Sequence, residues 1–128
     1  MSSPSFSTTL ELKACPNTHN CVSSTASDGH AIKPFILANN SKLDILKLIQ
    51  LINNSDSNVS AIHDGQHIHA TFTSRVFGFV DDLDLIINPT QNIIHVRSAS
   101  RTGHYDFGVN RRRVNKLRGL FKDAGVIQ

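Results

Sequence analysis

Val80 to Ser100 reads VDDLDLIINPTQNIIHVRSAS, and its alternation decides the fold. In the first half Leu83, Leu85 and Ile87 take every second position, with Asp82 and Asp84 between them. In the second half Ile94 and Val96 alternate with His95 and Arg97. A period of two marks a strand with one buried and one solvated face. Asn88 to Asn92 is a connection of hairpin length. The stretch is therefore an antiparallel strand pair with an apolar side and a polar side.

Neighbouring segments extend this pair. NVSAIH (58–63) and QHIHATFT (66–73) flank Asp64-Gly65, a dipeptide suited to a tight hairpin, and Ile68, Ala70 and Phe72 repeat the inward alternation. SKLDILKLIQLINN (41–54) opens with Ser41 followed three residues later by Asp44, an imperfect capping box. It then sets Ile45, Leu46, Leu48, Ile49 and Ile52 on one helical face. VNRRRVNKLRGLFKDAG (109–125) is a second helix with Val114, Leu117, Leu120, Phe121 and Ala124 on its stripe and Gly125 placed to cap it. AIKPFIL (31–37) reads as a short edge strand, because Pro34 cannot donate to a ladder.

The order β-α-β-β-β-β-α predicts an α+β fold: a mostly antiparallel sheet of four to five strands with two helices packed on one face. Residues 1–14 read as a loose Ser/Thr-rich leader and 15–128 as a single domain, with order expected from about Ala31. The sheet's other face collects His67, His69, Asp82, Asp84, His95 and Arg97.

A chain of 128 residues is one domain's worth. Its 39% hydrophobic and 18% charged residues exclude a disordered composition. No apolar run reaches the roughly 18 residues of a membrane span, and MSSPSFSTTLELK lacks the basic-then-apolar layout of a secretory signal. A soluble, cytoplasmic protein is expected. Charge is uneven: residues 97–128 carry eight Lys or Arg against two Asp, net +6, whereas 1–96 carry five bases against eight acids, net −3. Such asymmetry means intramolecular pairing or an anionic partner.

Cys15 and Cys21 could close a small disulfide in an oxidising compartment and stay thiols in a reducing one. With His19 and His30 they make no recognised zinc spacing. The His/Asp sheet face offers metal-ligand types, yet solvated sheet faces are normally polar, so no metal and no cofactor is assigned. Asp81 and Asp82 resemble paired acids for acid/base work or metal binding, but consecutive strand residues point to opposite faces. Asp81 points inward and needs a partner.

RSASRTGHYDFGVNRRR (97–113) supplies one. At about 100° per residue Arg113 falls about 40° from Leu117, on the core side; Asn110 joins it, Arg111 sits at the rim and Arg112 faces water. A structural network of Asp81, Asp82, Arg97, Asp106, Asn110 and Arg113 is expected. Ser98, Ser100, Arg101, Gly103 and Arg111, leading into a helix N-terminus, form the candidate ligand set for an anionic small molecule or headgroup. Nucleic acid is not favoured, since stacking aromatics are sparse and no motif appears. Ser98 or Ser100 with His104 lacks a nucleophile elbow.

Three blocks, CPNTHNCVSS (15–24), TSRVFGFVDDLDL (73–85) and RSASRTGHYDFGVNRRR, resemble the family catalogued as domain of unknown function 1499. The matching positions include Cys15 and Cys21, Phe79, Asp81 and Asp82, and Arg97, Ser98, Ser100, Arg101, Gly103, Asp106, Gly108, Asn110, Arg111 and Arg113. The resemblance spans nearly the whole chain. It implies a family with no established activity, many of whose members look exported, lipid-anchored or plastid-targeted.

The expected function is a small binding module for an anionic small molecule where the Ser98–Arg111 loop meets the last helix. The alternatives are a hydrolase-like or metal-dependent enzyme using Asp81 or Asp82, and a protein-interaction domain. A cleft bearing Arg101 and Arg111 without acid partners would favour the first. Carboxylates around a metal would favour the second, and a closed Arg/Asp network beside an exposed apolar patch the third.

Overall fold

The computed structural model describes residues 11–38 and 43–128. Its elements run β1 (Cys21–Ser23), β2 (Phe35–Ile36), α1 (Ile45–Asn53), β3 (Val59–Asp64), β4 (His67–Thr73), β5 (Val80–Asn88), β6 (Ile93–Ser100) and α2 (Val109–Asp123). The sheet order is β1-β6-β5-β4-β3, with β2 also on β6, and all these pairings are antiparallel. The two hairpins form as the alternation predicts: Leu83 opposes Ser98 and Leu85 opposes Val96.

The inward residues Ile68, Phe72, Leu83, Leu85, Ile94 and Val96 join Leu48 and Ile52 of α1 and Val114, Leu117 and Phe121 of α2 in one core. Both helices thus lie on one face of an α+β fold. Each buried Leu or Ile of this set contributes about 1.5–3 kcal/mol relative to exposure.

Three details differ from the sequence expectation. Order begins well before Ala31, because Cys21–Ser23 is a sixth strand against Arg97–Ala99. It is fully buried and only three residues long, so it has no room to show an alternation. Helix α1 is capped by Asp44, whose carboxylate accepts the Lys47 N–H at 3.3 Å; Ser41 lies outside the described residues, as does most of the expected leader. Leu46 is exposed, since one step from Ile45 turns it about 100° away from the core.

Helix α2 ends in a Schellman motif. Val126 N–H reaches Phe121 O at 2.9 Å and Gly125 N–H reaches Lys122 O at 3.0 Å, with Gly125 at φ 76°. That closure sends Ile127 back to bridge Leu37 beside β2. Among the described residues no helix is long and apolar enough to cross a membrane.

Candidate functional site

The site lies at the end of the sheet where β5 starts and β6 stops. Two loops meet there: Ser74–Phe79 between β4 and β5, and Arg101–Gly108 between β6 and α2. The second turns into the helix through Phe107 at φ 53° and Gly108 at φ 82°. A left-handed backbone is unstrained at glycine but costly at phenylalanine.

Asp106 closes this turn. Its carboxylate accepts the N–H of Gly108 at 2.8 Å, the N–H of Asn110 at 2.9 Å and the Asn110 side-chain amide at 2.7 Å. Burial alone would raise this carboxyl, but hydrogen bonds from Asn110 and Gly108 outweigh it and hold the group below its ordinary value. The anion at the N-terminus of α2 is thus the protein's own, where the sequence suggested room for a ligand.

Arg113 projects from the inner side of α2. Its Nη2 donates to Asp81 Oδ2 at 2.7 Å, and its Nη1 to Asn110 Oδ1 at 2.8 Å and Ser98 Oγ at 3.2 Å. The guanidinium lies 4.4 Å above the Phe72 ring centroid. The Arg113 and Asp81 side chains are only 11% and 13% exposed. Asn110, fully buried, ties the cluster together through Ser98 at 2.6 Å and Ser100 at 2.9 Å. Helical phase on α2 and strand phase on β5 and β6 bring these residues to one point.

Other residues of the expected network and ligand set fall elsewhere. Strand alternation carries Asp82, Arg97 and Arg101 to the polar face. There Arg101 pairs with Asp82 through two bonds of 2.8 and 2.9 Å, and holds its carboxyl below the ordinary value. Arg97 Nη2 donates to Ala14 O at 3.4 Å, while its buried Nε has no partner among the described residues. On the same face Asp84 Oδ1 lies 2.8 Å from His67 Nε2 and 2.9 Å from His69 Nδ1. Among the described residues no three His, Cys, Asp or Glu are disposed to hold a metal. Arg111 donates to the carbonyls of Ala31 and Gly29 at 3.0 and 3.1 Å. Ser98 is sealed beneath the network at 0% exposure. Of the five expected ligand residues, Ser100 and Gly103 border the cleft described next, and Ser98, Arg101 and Arg111 do not.

A cleft of about 530 Å³ opens over the Arg113–Asp81 pair. Its floor includes Asp81, Ser100, Asp106 and Arg113, and its sides carry Phe77, Phe79, Tyr105 and Phe107. The volume is within the usual ligand-pocket range of about 300–1,000 Å³. Phe77 and Phe79 stack at 5.4 Å, and Phe107 is 89% exposed. Of these walls the sequence marked only Phe79, as a position of the family resemblance, and none as lining a site. Their signal was four aromatics in two glycine-bearing loops, FGF and YDFG, where no periodic pattern buries them.

The Cys15–Cys21 disulfide loop braces the far side of the second loop. His19 N–H bonds to His104 O at 2.9 Å, and the Asn20 amide bonds to the carbonyls of Gly103 at 2.7 Å and Thr102 at 3.2 Å. The His19 and Tyr105 rings stack at 4.9 Å. These contacts join the cysteine block to the arginine block.

A family model described as "Protein of unknown function (DUF1499)" matches residues 11–121. No curated protein and no solved structure matches the chain.

Proposed function

We propose that this chain, which belongs to the family described as protein of unknown function (DUF1499), is a small binding module whose ligand enters the aromatic-walled cleft. The observation that carries this reading is the combination of apolar sides with a fixed polar floor. Apolar walls supply affinity through buried area, and a few anchored polar groups orient the ligand. The Asn110 hub and the Asp106 turn hold Arg113 and Asp81 in place before any ligand arrives, which lowers the entropic cost of binding.

The anionic ligand expected from sequence fits this cleft less well. Arg113 is its one basic lining residue, and Asp81 already holds it. An anion would have to compete with that carboxylate and approach Asp106. An acid/base or metal-dependent role for Asp81 with Asp82 has no geometric support either, because the two carboxylates face opposite sides of the sheet on separate arginines.

A second reading follows from a specific observation. A closed Arg113–Asp81 pair sits beside exposed Val76, Phe77, Phe79, Tyr105 and Phe107, the arrangement that favours a protein-interaction surface. Concavity supports the small-molecule reading over this one.

The test is a thermal-shift series with benzyl alcohol, benzylamine and benzoate, which share one apolar body and differ in charge. A probe at about ten times its Kd adds about 1.4 kcal/mol, or about 5 °C for a domain of this size. The expected result is stabilisation by at least one probe, lost in Phe79→Ser. Failure of all three at saturating millimolar concentrations would overturn the small-molecule reading. Concentration-dependent self-association abolished by Phe107→Ser would support the interaction surface instead.

A further inference from the structure

We propose that the cleft selects a small organic cation, a substituted ammonium of the choline type, in place of an anion. The proposal rests on the reading of the cleft as a binding site and names the chemistry of its occupant.

Charge is the first ground. The lining holds three acids, Asp56, Asp81 and Asp106, against one base, Arg113. The neighbouring cations Arg112 and Lys116 line an adjoining surface and donate to main-chain oxygens, those of Phe107 at 2.7 Å and Ser55 at 2.6 Å. They do not line the cleft.

Donor commitment is the second ground. Arg113 spends Nη1 and Nη2 on Asn110, Ser98 and Asp81, and its face on Phe72. The N–H groups of Gly108 and Asn110 at the start of α2 are taken by Asp106. An anion would find Nη1, Nη2 and these two helix N–H groups engaged, with only Arg113 Nε lacking a hydrogen-bond partner among the described residues. A cation, in contrast, finds Asp81 Oδ1, which has no hydrogen-bond partner among the described residues.

Ring chemistry is the third ground. Phe77 and Phe79 stack on each other and Tyr105 on His19, so these rings offer one face each; those faces and Phe107 carry negative quadrupolar potential, which attracts a weakly hydrated ammonium. A cation already lies over a ring in this cleft, since Arg113 sits on Phe72. An ammonium ligand would repeat that contact one layer further out, with its alkyl groups against the rings and its charge near the carboxylates.

Choline and 3,3-dimethylbutan-1-ol have nearly the same shape and differ in replacing the charged nitrogen by carbon. Isothermal titration of the full chain with each should show choline binding about tenfold more tightly. In Phe79→Leu/Phe107→Leu, which keeps apolar bulk at two exposed positions but removes two rings, the ratio should fall towards one while the alcohol's affinity changes little. Co-sedimentation with phosphatidylcholine vesicles, which phosphatidylglycerol vesicles should not reproduce, would mark the cation as a lipid headgroup; choline binding alone would mark a free amine. Equal affinities, or tighter binding of the alcohol, would overturn the cation proposal and leave the cleft reading standing. Binding of neither would overturn the cation proposal, and the cleft reading would fall with it only if the three benzyl probes also fail.

Discussion

Replacing Arg113 with alanine tests the geometry at the floor of the cleft. The substitution leaves Asp81, 13% exposed, without its partner. It also removes a donor from Asn110 and Ser98 and a cation from the face of Phe72. Breaking a buried ion pair from one side costs about 3–5 kcal/mol, because the remaining charge stays desolvated. Asp81 borders a cleft that admits water, so the lower end applies, about 3 kcal/mol. With an unfolding entropy of about 2.1 cal/mol/K per residue, 128 residues give about 0.27 kcal/mol/K, and the melting temperature should fall by about 11 °C. Asp81→Ala should cost a similar amount by stranding Arg113. The double variant should lose clearly less than the sum, with a coupling of about 2 kcal/mol or more. Thermal and urea melts of the four proteins measure it. A fall of less than about 3 °C for Arg113→Ala, or strict additivity, would refute the idea that these residues act as a desolvated pair.

Arg101→Ala should leave the melting temperature nearly unchanged, since Arg101 is half exposed and its pair with Asp82 lies on the solvated face of the sheet. It should also leave cleft binding intact, because Arg101 belongs to the other face. Cys15→Ser/Cys21→Ser should cost about 2 kcal/mol by the chain-entropy estimate for so short a loop. Hydrogen exchange should show its largest loss of protection over residues 100–104, which the cysteine loop braces. For Asp106 the folded carboxyl lies below its ordinary 3.8. Its stabilisation is therefore complete above that value and is lost as pH falls through the lower folded one. Melts between about pH 6 and about pH 2.5 should show a shallower acid loss for Asp106→Ala than for the wild-type chain.

Periodicity made the sheet legible. Alternation through Leu83, Leu85 and Ile87 and through Ile94 and Val96 predicts the central hairpin, and helical phase from Leu117 turns Arg113 and Asn110 inward. The same strand phase carries Arg97 and Arg101 outward, so an internal network that included Arg97 conflicted with its own alternation. What stayed hidden depends on distance along the chain or on loops. The three residues of β1 are too few to show a period. The capping of α2 by Asp106 depends on the turn through Phe107 and Gly108, which has no repeat to read. That FGF and YDFG form two sides of one cleft follows only once β4, β5 and β6 are neighbours with both loops at the same end. Nothing in the spacing of Phe79 and Phe107 predicts it.

The proposed ligand enters between the Ser74–Phe79 and Arg101–Gly108 loops and stops on the Arg113–Asp81 floor. Titration of the ¹⁵N-labelled chain with benzylamine, followed by amide chemical shifts, tests this placement most directly. Saturable shifts are expected at Phe79, Ser100, Gly103, Asp106 and Val109, with none at His67, His69 or Asp84 on the far face. Shifts confined to the polar face, or none at any saturating concentration, would contradict it.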